Sequence, residues 1–334
     1  ATLQLIGEID DTHAAYFWAD QIDSLKGQNY APFGVKWIEN KWVVSEHFDS
    51  DMPESTNLQV GDVITHIKGI PVEAIIDSVE KYYPASNHAS KMRDIANDLL
   101  RSNQPTLDIQ FIRNDQPAKT TLVLHPNAGQ NRAHDNNEKC YKIVDGNIGY
   151  NALNTIKNGD MPIIKEILKN TKAIIIDIRK GKADFFPYSL ETFFFSQYTP
   201  YAKFTSGNVN NPGEFHYVIE SKVPKSNNSY QGKLIVLVNE NVQSAGETLA
   251  MTFKAVPHST IVGSTTSGAN GNVSTIWLPG GLRTTISGIG VYYPDGTVMQ
   301  RIGIVPDVFI SPSIEGIKSG KDEVLEKAIE WIDK

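Results

Sequence analysis

Apolar runs bounded by polar turns set the pattern of the second half of this chain. Leu234-Ile-Val-Leu-Val238 is wholly apolar and reads as a strand buried on both faces. Ala173-Ile-Ile-Ile, closing on Asp177-Ile-Arg179, repeats that pattern, and Thr260-Ile-Val-Gly263 is a shorter version. Helical spacing lies between and after them. Ile163, Ile164, Ile167 and Leu168 predict a helix over 161–170, and Leu249, Met251, Phe253 and Val256 predict one that opens at Ser244. Another is predicted over 322–332. Strands alternating with helices imply crossover connections and a largely parallel core sheet. Tyr141-Lys-Ile-Val-Asp-Gly-Asn-Ile-Gly-Tyr150 reads as strand, turn, strand, and segments 274–278, 282–286 and 290–293 are expected to continue the sheet. The stretch between Arg179 and Lys233 is a looser aromatic segment.

The first half alternates instead. Residues 32–38 and 41–45 read as two strands joined at Glu39-Asn40, and 58–72 as a short hairpin system with two glycine turns. Met92, Ile95, Leu99 and Leu100 predict a helix over 89–101, and two strands, 107–113 and 120–124, close the module. Leu3, Leu5, Ile6 and Ile9 could cover one face of a helix at the start. Residues 126–138 are polar and read as a linker.

Composition narrows the function classes. The 334 residues, 40% hydrophobic and 21% charged, fit a globular chain of two domains. A net charge of -7 with no basic stripe argues against a nucleic-acid partner. No apolar run is long enough to span a membrane. A single cysteine, Cys140, excludes an internal disulfide and a cysteine metal cluster. His47, His66, His88, His216 and His258 lack metal-ligand spacing, and no phosphate loop or dinucleotide fingerprint is present, so no metal and no cofactor are expected. The start at Ala1, without Met, reads as a processed or trimmed form whose export signal would lie outside it.

Ser244 stands where the apolar strand turns into a helix. Two chemistries suit it. Ser244-x-x-Glu247 matches a capping box, in which the hydroxyl ends the helix and Glu247 bonds back. The same place lies beside unpaired N–H groups at the positive end of the helix dipole, where a nucleophile would find oxyanion donors. The two roles are compatible. His13, in Asp11-Thr12-His13-Ala14, is either a plain imidazole near a helix end or a base for a distant nucleophile.

Leu58-x-Val-Gly-Asp-Val-Ile-x-x-Ile-x-Gly and the order of elements resemble a PDZ domain. The resemblance implies a peptide C-terminus added as a strand, its carboxylate held by the loop Ala31-Pro32-Phe33-Gly34, with Phe33 and Gly34 as binding residues. The segment 77–90 looks like an insertion that could block the groove, which would leave the module a spacer or lid. Further along stand Ile148-Gly149-Tyr150, Ile175-Ile176-Asp177-Ile178-Arg179, Val236-Leu237-Val238-Asn239-Glu240, Ser244-Ala-Gly-Glu247, Ile261-Val262-Gly263-Ser264-Thr265-Thr266, Tyr292-Tyr293-Pro294-Asp295-Gly296 and Gly303-Ile304-Val305-Pro306-Asp307. In that order, behind a PDZ-like module, they resemble the serine peptidase family of C-terminal processing peptidases and tricorn-like proteases. The resemblance implies an α/β fold: a crotonase/ClpP-like spiral peptidase domain over 140–334, preceded by the PDZ-like domain over 29–127 and a linker over 128–139. Residues 1–28 would form an N-terminal segment contributing His13.

By the same resemblance Ser244 is the nucleophile. The lysine base of the processing peptidases is missing, because Ala269 stands in its place in Ser267-Gly268-Ala269-Asn270-Gly271, and Lys254 lies too far around its helix to substitute. The tricorn-like histidine position holds Asn151. A third branch, similar to the secreted chlamydial protease of this family, takes its histidine from an N-terminal Asp-x-His-Ala motif, which makes His13 the expected base. Gln300 occupies the place of the orienting glutamate and would fix the tautomer without charge. The backbone N–H groups of Ala245 and Ala183 would form the oxyanion hole, and Gly268 would shape the substrate side. The expected function is a serine endopeptidase acting on protein or peptide substrates through an acyl-enzyme, possessing no cofactor and exported to the periplasm or cell envelope. The alternative, favoured by the missing lysine and glutamate and by Lys180-Gly181-Lys182-Ala183-Asp184 lacking the Gly-Gly pair that the family carries in the loop after Arg179, is a degenerate homologue that binds peptides without cutting them.

Overall fold

The computed structural model describes residues 2–14, 16–17, 20–48, 57–126, 140–180, 188–208 and 210–334. The expected linker and Ala183 lie outside these residues. The N-terminal segment carries α1 (Thr2–Gly7) and α2 (Asp20–Lys26), with a two-residue strand, Tyr16–Phe17, between them. Ile6 is the buried residue of α1, whereas Leu5 is exposed. α1 lies against the turn Glu80–Tyr82 so closely that a Cβ on Gly7 would come within 2.0 Å of the Lys81 carbonyl oxygen.

The first module is an antiparallel sheet of β1 (Phe33–Ile38), β2 (Lys41–His47), β3 (Val63–Ile67), β4 (Thr106–Arg113) and β5 (Gln116–Val123), in that spatial order. Glu39 and Asn40 both take positive φ, 50° and 59°, so the β1–β2 connection is the tight two-residue turn that strand twist favours. Strict alternation in β4 puts Leu107, Ile109 and Phe111 into a core shared with Trp42, Ile64 and Leu122. Two helices, α3 (Val72–Val79) and α4 (His88–Asp98), cover it. β1 is an edge strand, and α4 packs beside it. The segment 77–90 continues α3 into a 3-10 turn and then reaches the second module, where Asn87 donates to Thr266 O.

The second module holds the core sheet: β6 (Tyr141–Val144), β7 (Ile148–Ala152), β8 (Ala173–Asp177), β11 (Lys233–Val238) and β12 (Ser259–Gly263), with a final two-residue strand at Val308–Phe309. All pairs are parallel except β6–β7. Alternate residues serve two cores. Ile174, Ile176, Leu234 and Val236 face α5 (Met161–Leu168) and α7 (Ala245–Lys254); Ile175, Ile235, Leu237 and Val262 face α8 (Glu323–Ile332). That two-sided burial is why these strands read as uninterrupted apolar runs.

Two expectations need correction. The aromatic segment before Lys233 contains a short helix, α6 (Tyr188–Thr192), and a long hairpin, β9 (Thr199–Asn208) with β10 (Asn211–Val223). Three register shifts in the hairpin break the period of two, and Phe215 and Tyr217 stand exposed, so neither alternation nor burial marks it. The strands expected at 274–278, 282–286 and 290–293 do not continue the core sheet. β13 (Val273–Trp277) and β14 (Arg283–Ser287) pair with each other and, through β14, with Tyr16–Phe17. Val291–Tyr292 pairs with β9. Every residue of β13 is exposed, which suits a sheet edge and not a core strand.

Candidate active site

β11 ends at Val238, and the turn 239–243 delivers Ser244 to the start of α7. Ser244 has φ 55° and ψ -119°, a conformation that costs an L-residue on the order of 1–3 kcal/mol. It is pinned there by its N–H, which donates to the Ala269 carbonyl at 2.8 Å, and by its carbonyl, which accepts from Glu247 and Thr248 at 2.9 and 3.1 Å. The side chain makes no capping hydrogen bond. The reciprocal capping box expected from Ser-x-x-Glu therefore does not form. Among the described residues the Ser244 hydroxyl is free, and the next amide, Ala245 N–H, has no acceptor. Glu247, fully buried, instead accepts from Thr266 Oγ1 at 2.5 Å and Gly268 N–H at 2.7 Å through Oε1, while Oε2 has no partner. Burial pushes its carboxyl up to about 7, against the pull of those bonds.

The loop 264–271 runs beside Ser244. Ser267 N–H donates to Val242 O at 2.9 Å, and Ala269 O holds Ser244. Gly268 sits at φ +72°, where a Cβ would meet the Arg301 backbone at 3.0 Å. Its N–H is taken by Glu247 and its carbonyl accepts from Arg301 N–H at 2.7 Å, so it shapes the loop from within. Ala269 is buried, and Lys254 is paired with Asp307 at 3.0 Å. Gln300 engages the Asn270 backbone at both ends of its amide: Nε2 donates to Asn270 O at 2.9 Å, and Oε1 accepts from Asn270 N–H at 3.2 Å. No Gln300–His13 bond is found among the described residues.

His13 is brought to this region by the fold. Its ring is 8% exposed. Its N–H donates to Asp11 Oδ1 at 2.9 Å, its Nδ1 lies 2.9 Å from Ser287 Oγ, and Thr285 Oγ1 donates to its carbonyl. Neighbouring Thr12 is buried among three elements. Its hydroxyl accepts from Ser86 N–H at 2.9 Å, lies 3.0 Å from Ser90 Oγ and reaches Ser267 O at 3.3 Å. The loop of the expected base thus packs directly on the loop that fixes Ser244. No hydrogen bond joins the His13 ring to Ser244 Oγ among the described residues. Burial lowers the pKa of His13 below its ordinary value, and Asp11, with Oδ1 4.0 Å from Nδ1, opposes that shift.

The first module supplies contacts that no local motif announces. Arg93 of α4 donates to Glu240 O at 2.7 Å and to Gln243 Oε1 at 3.1 Å, in the turn that carries Ser244, and reaches Ser267 Oγ at 3.4 Å. Asn87, the N-cap of α4, donates to Thr266 O at 2.7 Å. Phe33 and Gly34 line a cleft of about 1010 Å³ between β1, α4 and a second wall that includes Arg179, Asn239 and Phe309. Phe33 itself is buried, its ring edge-on to His47 at 5.4 Å, so it belongs more to the floor than to the opening. Ser287 was invisible beforehand because it lies 274 residues from His13. Among the described residues no group of three or more His, Cys, Asp or Glu side chains is placed to hold a metal, and no helix is long and apolar enough to cross a membrane.

Comparison with known proteins agrees with this architecture. Residues 147–310 match the model of Peptidase family S41, and residues 27–135 match that of a PDZ domain. A comparison with curated protein sequences gives no match. Among solved structures the chain is similar to mature CPAF complexed with lactacystin, with a TM-score of 0.74 at 15% identity, covering 98% of this chain and 86% of that one. It is also similar to a putative peptidase from Parabacteroides merdae, with a TM-score of 0.53 at 18% identity, covering 78% of this chain and 88% of that one. At such identities the likeness bears on the fold: a PDZ domain followed by an α/β peptidase domain of ClpP/crotonase type.

Proposed function

From the premise that the chain belongs to peptidase family S41, with a PDZ domain ahead of its S41 domain, we propose that it is a serine endopeptidase working through Ser244 and His13. One observation carries the reading. Ser244 is held in a strained backbone conformation with its hydroxyl uncapped, beside the unpaired Ala245 N–H, while the His13 loop is docked on the neighbouring strand and loop. In this reading Ser244 Oγ attacks the scissile carbonyl as a His13 ring nitrogen removes its proton. Ala245 N–H stabilises the oxyanion at the helix mouth. The imidazolium then protonates the leaving amine, and water reverses the sequence to release the acyl group. The reaction requires the ring and Oγ to come within hydrogen-bond reach, a contact that substrate-free structures often lack. The PDZ groove beside β1 would take a peptide strand.

A peptide-binding homologue without catalysis is the second reading, favoured by Gln300 standing where a carboxylate is expected and by the missing Ser244–His13 bond. A fluorophosphonate probe followed by peptide mapping separates the two. The peptidase reading expects covalent label on Ser244, abolished in Ser244→Ala and slowed at least 100-fold in His13→Ala, about the contribution of general base catalysis. An unlabelled Ser244 in the folded protein would overturn it.

A further inference from the structure

We propose that Asp11 and Ser287 together hold His13 as its Nδ1–H tautomer, so that Nε2 carries the free lone pair and Ser287 is a positioning residue of the site. What Nε2 acts on rests on the peptidase reading above; the tautomer itself does not.

The argument follows one hydroxyl proton. Ser287 Oγ lies 2.9 Å from His13 Nδ1 and 3.0 Å from Asp11 Oδ1. The same carboxylate binds the Ser287 backbone, with N–H to Oδ2 at 2.5 Å, and the His13 backbone, with N–H to Oδ1 at 2.9 Å. Both backbones are thereby fixed around it. An ionised carboxylate accepts only, so Ser287 must give its single proton to Asp11. Oγ then has lone pairs alone to offer the ring, and Nδ1 must be the donor. The opposite arrangement would turn the hydroxyl proton to Nδ1 and leave two acceptors, Oγ and Oδ1, facing each other in a half-buried site, where unpaired polar groups are costly. The chain Nδ1–H to Oγ–H to Oδ1 is therefore the arrangement that satisfies every group.

It also gives the histidine a carboxylate at one remove. When Nε2 gains a proton, the new positive charge faces Asp11 through Ser287, with Oδ1 4.0 Å from Nδ1. Gln300, whose amide is engaged with the Asn270 backbone, need not serve this purpose. A Ser–Asp pair on β14 and the N-terminal loop thus does what a single orienting side chain does in simpler triads.

The test is a long-range proton–nitrogen NMR correlation on the full chain labelled with nitrogen-15, recorded at mildly alkaline pH, where the His13 ring is neutral. The expected signature is a pyrrole-like Nδ1 and a pyridine-like Nε2 for His13. Ser287→Ala should shift the ring toward the Nε2–H form, and Ser287→Thr, which keeps the hydroxyl, should restore the original pattern. Fluorophosphonate labelling of Ser244 should slow about 10- to 100-fold in Ser287→Ala and recover in Ser287→Thr. An Nε2–H ring in the unmodified protein, or an unchanged pattern in Ser287→Ala, would overturn the inference. A protein that shows the expected tautomer yet leaves Ser244 unlabelled would overturn only the peptidase reading.

Discussion

Glu247 is the residue whose position says most about how the site is held. It lies in the first turn of α7, yet its carboxylate reaches across to Thr266 and Gly268 and leaves Oε2 buried without a partner. Its folded pKa, about 7, stands above the ordinary carboxylate value. Between the two values the folded protein binds more protons than the unfolded chain, so stability falls as pH rises and the loss is complete above about 7. Glu191, raised to about 8 by burial, acts in the same direction. Denaturant midpoints measured below and above neutrality should show the native protein weaker on the alkaline side. Glu247→Gln should remove its share of that slope and leave the part due to Glu191. An unchanged slope in Glu247→Gln would mean that Glu247 is solvated and not buried as described. At this scale the sequence was legible in position: Ser244 stands at the strand-to-helix turn that its apolar run predicts, and the Asp-x-His-Ala loop packs on the loop beside it. It was silent on Ser287 and on the partners of Glu247, because those contacts depend on where distant strands come to rest.

Elements were legible in proportion to how regularly they are buried. β8 and β11, covered on both faces, could be read from their apolar runs, and the α4 helix from its spacing, whereas the bulged and half-exposed β9–β10 hairpin could not. The same logic explains why α4 looked like a mere part of the PDZ core. Its buried face is Ser90, Met92, Ile95 and Ala96, and Arg93 projects elsewhere. That side chain bonds the turn that carries Ser244 and the loop beside it, so the helix lining the PDZ groove also braces the Ser244 turn. Arg93→Ala should slow labelling of Ser244 by about 10- to 100-fold, the scale expected when a reacting group is displaced by about 1 Å. Its stability cost should stay near 1–3 kcal/mol, the order of one charged hydrogen bond. Equal labelling rates in Arg93→Ala and the parent would show that the turn is held by its own backbone bonds alone.

On the scale of the whole molecule, the N-terminal segment is a clasp. It starts against the Glu80–Tyr82 turn of the first module, passes between Ser86 and Ser267, and then pairs with β14 through Tyr16–Phe17. Thr12 is the point where the three parts meet. Its N–H donates to Ser86 Oγ at 2.9 Å, and its hydroxyl answers Ser86 N–H, Ser90 and Ser267. Thr12→Val keeps the shape of the side chain and removes only the oxygen, so it isolates the polar part of the junction. Ser86 N–H would be left without its acceptor, at a cost of about 1–3 kcal/mol. The consequence should be wider than stability. Because His13 is the next residue, loosening Thr12 frees the ring to drift from β14, and labelling of Ser244 should fall in step with the lost stability. Thermal melts paired with labelling rates test this. If Thr12→Val melts earlier but labels Ser244 at the parental rate, the clasp only holds the modules together, and the geometry of the site is secured by β14 instead.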